Sequence, residues 1–137
     1  MSVDDLKRSP MMAHLLDALS KQEDIGHYGR LTFAMVARPF VDEDELVKLL
    51  AQDRDMDETK ARALVRQVAD RGYSPPRRER ILQWQKEQDF PIIPNADDPE
   101  AGNVYRELDF PDDVYDHIQE YQAERAEAEE AEKQQTH

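Results

Sequence analysis

The chain reads as mainly α: a compact bundle of about five to six helices, with a long irregular loop and at most a small strand pair. Three observations lead there. Apolar residues recur at three- and four-residue spacing in several separate stretches. Cap and stop residues punctuate those stretches at helical lengths. No stretch alternates with period two, which argues against a large sheet.

The elements follow in order. Ser9-Pro10 suits a helix start, since Ser caps and Pro fits the first helical position. Met12, Leu15, Leu16 and Leu19 then form a stripe through Lys21. Gly26 to Gly29 reads as a break. A second helix is expected from Tyr28 or Gly29 to Arg38, with Leu31, Ala34 and Met35 inward and Pro39 ending it. Asp42 caps a third helix carrying Leu46, Leu49 and Leu50. Asp57 caps a fourth, with Ala61, Leu64, Val65 and Val68 on one stripe and Gly72 as its stop. Ser74-Pro75-Pro76 opens a fifth helix that buries Ile81, Leu82 and Trp84. Asp89 to Gly102, with three prolines, reads as a loop. Val104 to Phe110 is a strand or a single turn, and Pro111-Asp112 opens a last helix with Val114, Tyr115, Ile118 and Tyr121. Residues 1–122 are read as one domain. Residues 123–137 form an acidic Ala/Glu/Gln tail, expected as frayed helix or disorder.

Composition narrows the function classes. The chain has no cysteine, which removes disulfides, Cys-type zinc and thiolate-held clusters. His14, His27, His117 and His137 are too scattered for a ligand spacing. No apolar run approaches the ~20 residues of a membrane span, and Met1 to Lys7 leads into no signal core, so a cytoplasmic protein without a membrane partner is expected. A net charge of −13 argues against a generic nucleic-acid binder. It fits a highly soluble protein, an acidic interaction surface or a salt-rich cytoplasm.

The charge is uneven. Lys60, Arg62, Arg66, Arg71, Arg77, Arg78, Arg80 and Lys86 face only Asp70 and Glu79 in their window, which is therefore +6 while the rest of the chain carries −19. Such a window is either a pair of solvated helix faces or an anion-binding patch.

No catalytic constellation is visible. Four isolated glycines make no phosphate loop, and no serine sits in a nucleophile elbow. The acidic pairs Asp42/Asp44, Asp53/Asp55/Asp57, Asp97/Asp98 and Asp112/Asp113 fall at helix starts and in loops, where the helix dipole favours them. No enzyme activity, cofactor or metal is expected. The segment Ile25-Gly26-His27-Tyr28-Gly29-Arg30 has a different character. An Arg fork, a His donor and a helix N-terminus with open N–H groups can together grip a phosphate. Alternatively Tyr28 packs, His27 caps and Arg30 makes a surface ion pair.

In order and spacing these motifs resemble the C-terminal domain of the archaeal and eukaryotic DNA primase large subunit, in a cysteine-less, stand-alone form. The likeness runs through Ser9-Pro10-Met11-Met12, His27-Tyr28-Gly29-Arg30, Phe40-Val41-Asp42, Met56-Asp57-Glu58 and Gly72-Tyr73-Ser74-Pro75-Pro76. Gly26 departs from it, since the family carries a basic residue there. The resemblance implies a non-catalytic accessory that holds the 5′-triphosphate end or template during primer initiation. Its implied partners are single-stranded DNA or a primer 5′-triphosphate, and a catalytic primase or primase-polymerase subunit. Carried over, His27 and Arg30 contact phosphate; Arg77, Arg78 and Arg80 extend the positive surface, with Arg66 and Arg71 assisting. Tyr28 and Trp84 are candidate stacking partners.

The resemblance also implies a lost iron–sulfur cluster, whose ligand positions are Met11 or Met12, Arg77, Ile93 and Gly102. Met11, Met12, Phe90, Ile92 and Ile93 are then expected to fill that volume, while Arg77 points to solvent. The alternative function is an acidic protein-interaction module on the same scaffold. The nucleic-acid reading requires Arg30, His27 and at least two of Arg77, Arg78 and Arg80 on one concave face.

Overall fold

The computed structural model describes residues 2–115. Seven helices follow one another there: α1 Val3–Leu6, α2 Pro10–Ser20, α3 Gly26–Ala37, α4 Glu43–Ala51, α5 Glu58–Arg71, α6 Arg78–Gln85 and α7 Val104–Glu107. Residues 112–115 add a further helical turn, and no strand occurs among the described residues. The expected tail, 123–137, lies outside the described residues, as do Ile118 and Tyr121.

The caps form as the sequence directs. Ser9 Oγ accepts the Met12 N–H at 3.3 Å. Asp42 accepts the Glu45 N–H, and Asp57 the Lys60 N–H, both at 2.8 Å. Gly72 ends α5 as its left-handed C-cap. Two starts differ from expectation. The fifth helix begins at Arg78, four residues after Ser74, because the Pro75-Pro76 pair holds its predecessors extended. The Tyr105 hydroxyl donates to the Pro75 carbonyl and anchors that extended stretch. The second helix begins at Gly26, so the supposed break is its first turn.

Helix α3 is the central element, packing on α2, α4, α5 and α6. Its second half is buried on every side, Thr32 to Ala37 inclusive. The expected inward set of Leu31, Ala34 and Met35 therefore misses Phe33 and Val36, both fully buried, while Leu31 is only partly so. A helix enclosed all round shows no single stripe. The α4–α5 pair forms the most extensive contact and closes over α3. Val47 joins Leu46 and Leu50 in the core, and Leu49 and Leu64 sit at its edge.

Residues 89–103 lack regular structure apart from turns, as expected, yet they are part of the core. Met11, Met12, Ile92 and Ile93 are all buried and Phe90 is half-buried, while Arg77 is exposed. His14 ties α2 to this loop: its Nε2 donates to Pro91 O at 2.9 Å, and its ring stacks on Phe90. Val104 to Phe110 resolves as a single turn followed by extended chain. That segment returns to the α1–α2 junction. Ser9 Oγ donates to Glu107 at 3.2 Å, and Arg8 pairs with Asp109 at 3.3 Å. Burial raises the Glu107 pKa, against the lowering effect of the Ser9 bond. Burial likewise takes Tyr105 up to about 12. No helix among the described residues is long and apolar enough to cross a membrane.

Candidate functional site

The start of α3 was expected to offer open N–H groups to an anion. Three of its N–H groups are already taken, two of them by side chains distant in sequence. Asp53 Oδ2 accepts the Ile25 N–H at 2.9 Å. Asp24 Oδ1 accepts the Gly26 N–H at 2.9 Å, and Gln88 Oε1 the Tyr28 N–H at 2.9 Å. Gln88 also donates to the carbonyls of Ile25 and Phe90, at 2.9 and 3.0 Å. Gly26 has φ +80°, and a Cβ there would collide with the Gln88 amide. The glycine thus leaves room for a distant glutamine to cap the helix. Gln88→Ala is expected to cost about 1–3 kcal/mol, because buried backbone groups lose their partners. Urea denaturation measures the loss, and faster exchange of the Tyr28 amide locates it.

Arg30 is engaged just as fully. Its guanidinium lies 3.0 Å from Asp24, 3.2 Å from Asp53 and 3.7 Å from Asp55. The Asp53 side chain is wholly buried and that of Arg30 is 11% exposed. Asp53 Oδ1 also accepts the Asp55 N–H at 2.8 Å. This is a structural knot joining the α2–α3 turn to the α4–α5 loop. Arg30 is therefore not presented for phosphate in this arrangement.

The other expected cations divide into two groups. Arg78 donates to three backbone carbonyls, those of Ala96, Asp98 and Ala101, and clamps the 96–101 loop. Arg66 pairs with Glu43 at 3.3 Å; its neighbour Arg62 lies among Glu43, Asp44 and Glu58. The surface hollow lined by Glu58, Thr59, Arg62, Ala63 and Arg66 contains none of the other expected residues. Arg71, Arg77 and Arg80 are exposed, and none has a carboxylate within 4.0 Å among the described residues. The required set of Arg30, His27 and two of Arg77, Arg78 and Arg80 is thus not brought together as drawn. His27, Arg77 and Arg80 stay open, while Arg30 and Arg78 are internal ties.

What the structure does assemble is an aromatic strip. Tyr28 stacks on Trp84, with ring centroids 5.5 Å apart and planes 15° from parallel. His27 meets Tyr28 edge-on at 5.2 Å. The Arg80 guanidinium carbon lies 5.8 Å from the Trp84 ring centroid. Arg80 and Trp84 fall at i and i+4, on one face of α6, whereas Arg77 is the extended N-cap before the helix and its charge acts on Tyr105. Trp84 was expected in the core, as was Leu82; both are only half-buried, and Ile81 is the residue of α6 that enters the core. A hydrogen bond to Glu87 raises the Tyr28 pKa.

Sequence reasoning missed Asp53, Asp24 and Gln88. Asp-x-Asp-x-Asp was visible, but nothing local says that the first of the three turns inward. Among the described residues, no group of three or more His, Asp or Glu side chains could hold a metal ion. Comparisons with protein-family models, curated proteins and solved structures find no match to this chain.

Proposed function

We propose that the chain is a non-catalytic, nucleic-acid-binding accessory of a primase-type machine, working in the cytoplasm beside a catalytic primase or primase-polymerase subunit. One observation carries this reading. In a chain of net charge −13, Arg77 and Arg80 keep no carboxylate partner within 4.0 Å among the described residues, and Arg80 lies against the Trp84–Tyr28–His27 strip. Arg62 and Arg66, on the preceding helix, are by contrast paired with Glu43, Asp44 and Glu58. Cations left open suit an external anion. Screening at physiological salt limits distant charge to a reach of about 8 Å, so a local patch can act inside an acidic protein. Arg30 and Arg78 are internal ties, which narrows the set first required and leaves His27, Arg77 and Arg80 to meet the phosphates of template or primer. The apolar filling by Met11, Met12, Ile92 and Ile93 supports a scaffold that needs no cluster.

A second reading, an acidic protein-interaction module, draws on the neutralisation of Arg30 by three carboxylates. Fluorescence anisotropy of a labelled single-stranded oligonucleotide, with and without a 5′-triphosphate, decides between the two. The first reading expects binding whose log–log salt dependence has a slope of about −0.7 per phosphate neutralised. Arg77→Ala/Arg80→Ala should flatten that slope by about 1.4. Absence of binding to either strand at low salt would favour the interaction module.

A further inference from the structure

Surface aromatics in a small helical protein are informative when they are grouped. Here His27 and Tyr28 from the first turn of α3 meet Trp84 and Arg80 from α6. His27 and Arg80 are exposed, and Tyr28 and Trp84, packed at the edge of the core, are each partly exposed. The position is held from beneath. Gln88 fixes the Tyr28 backbone N–H at 2.9 Å, and neighbouring Gly29 is buried against Ile25. Tyr28 and Trp84 are near-parallel and present a rigid aromatic step rather than two independent side chains. Its flank carries Arg80, which has no carboxylate within 4.0 Å among the described residues.

The outward, partly exposed side of a stacked ring pair with a cation at its edge matches one chemistry: a planar base joined to a phosphate. Only an unpaired base has a free face to stack, since in a duplex both faces are covered by neighbouring pairs. We infer that Tyr28 and Trp84 form a base-stacking step for an unpaired nucleobase of single-stranded nucleic acid, with Arg80 on the adjoining phosphate. This rests on the nucleic-acid reading above and deepens it. The step distinguishes single strands from duplex, which a purely electrostatic patch does not.

Trp84 is the only tryptophan in the chain, so intrinsic fluorescence reports the inferred contact directly. The test titrates full-length protein with an oligothymidylate of about 12 nucleotides and, in parallel, with an abasic sugar–phosphate strand of equal length and charge. Affinity is read from a label on the strand and contact from Trp84 emission. The oligothymidylate should bind at least about fivefold more tightly than the abasic strand and quench Trp84, because stacking on one aromatic is worth ~5- to 150-fold. Tyr28→Ala and Trp84→Phe should narrow the ratio while leaving abasic binding unchanged. A comparison of two strands on the unaltered protein needs no variant to fold.

Equal affinity for both strands with unchanged Trp84 emission would overturn the stacking step and leave the nucleic-acid reading standing. Tight binding to duplex of equal length, with the same quenching, would also overturn it. Binding to neither strand would overturn both, and would leave this Trp/Tyr/Arg face to a protein partner.

Discussion

Asp53→Ala is expected to remove about 3–5 kcal/mol of folding stability, a large share of what a domain of this size has. The carboxylate is fully buried and serves three groups: the Arg30 guanidinium and the backbone N–H groups of Ile25 and Asp55. Its loss leaves a nearly buried guanidinium facing only the exposed Asp24 and Asp55, with two amides unsatisfied. Asp24→Ala provides the contrast. It removes a half-exposed partner from the same guanidinium, and exposed pairs contribute only about 0–1 kcal/mol. Thermal and urea denaturation of both variants check this. The Asp53 variant should melt lower by on the order of 10 °C, and the Asp24 variant by a few degrees at most. Equal small losses would mean that Arg30 is held mainly from its exposed side.

Gly102→Ala is the second large effect expected. The residue is buried with φ +84°, and a Cβ would fall against Ile93 Cδ1 and 2.9 Å from Ile93 Cγ1. Backbone strain there costs about 1–2 kcal/mol for a residue with a side chain, and overpacking against a buried isoleucine adds roughly 1–3. Ile93→Val removes the Cδ1 methyl and should relieve part of the steric cost without touching the backbone cost. The double variant should therefore be less destabilised than the sum of the singles. A double-mutant cycle by urea denaturation measures that coupling, expected at about 0.5–2 kcal/mol. Strict additivity would mean that backbone strain alone sets the penalty.

These two positions also show what sequence could and could not reveal. The helices around Leu15, Leu50 and Val65 were legible because stripe, cap and stop agreed within one short window. Apolar filling around Ile92 and Ile93 was anticipated by the family likeness, and those side chains are buried. The start of α3 was not legible: its cap comes from Gln88, 60 residues away from Tyr28. Arg30 looked like a phosphate fork because its partner Asp53 lies 23 residues away, on the far side of another helix in sequence. Local spacing carries information about a helix face. It carries little about which distant carboxylate turns inward. Trp84 was misjudged for a related reason, since an aromatic on a short helix is ambiguous until a second ring from another helix stacks on it.

The return of residues 104–110 to the α1–α2 junction has a consequence for the order of folding. Ser9 closes on Glu107 across 98 residues and Arg8 on Asp109 across 101. His14 closes on Pro91 across 77. During synthesis α2 emerges early and waits for nearly the whole described chain before these contacts can form. Helices α3 to α5 can collapse on one another meanwhile, because their contacts are nearer in sequence. The last step is then a long-range closure, whose entropic cost grows only as about (3/2)RT ln n but whose rate suffers from the separation. Until it happens, the side of α2 that carries His14 lacks its cover from Phe90 and Pro91. The vulnerable interval of this fold therefore belongs to one side of α2 rather than to the α3–α5 centre.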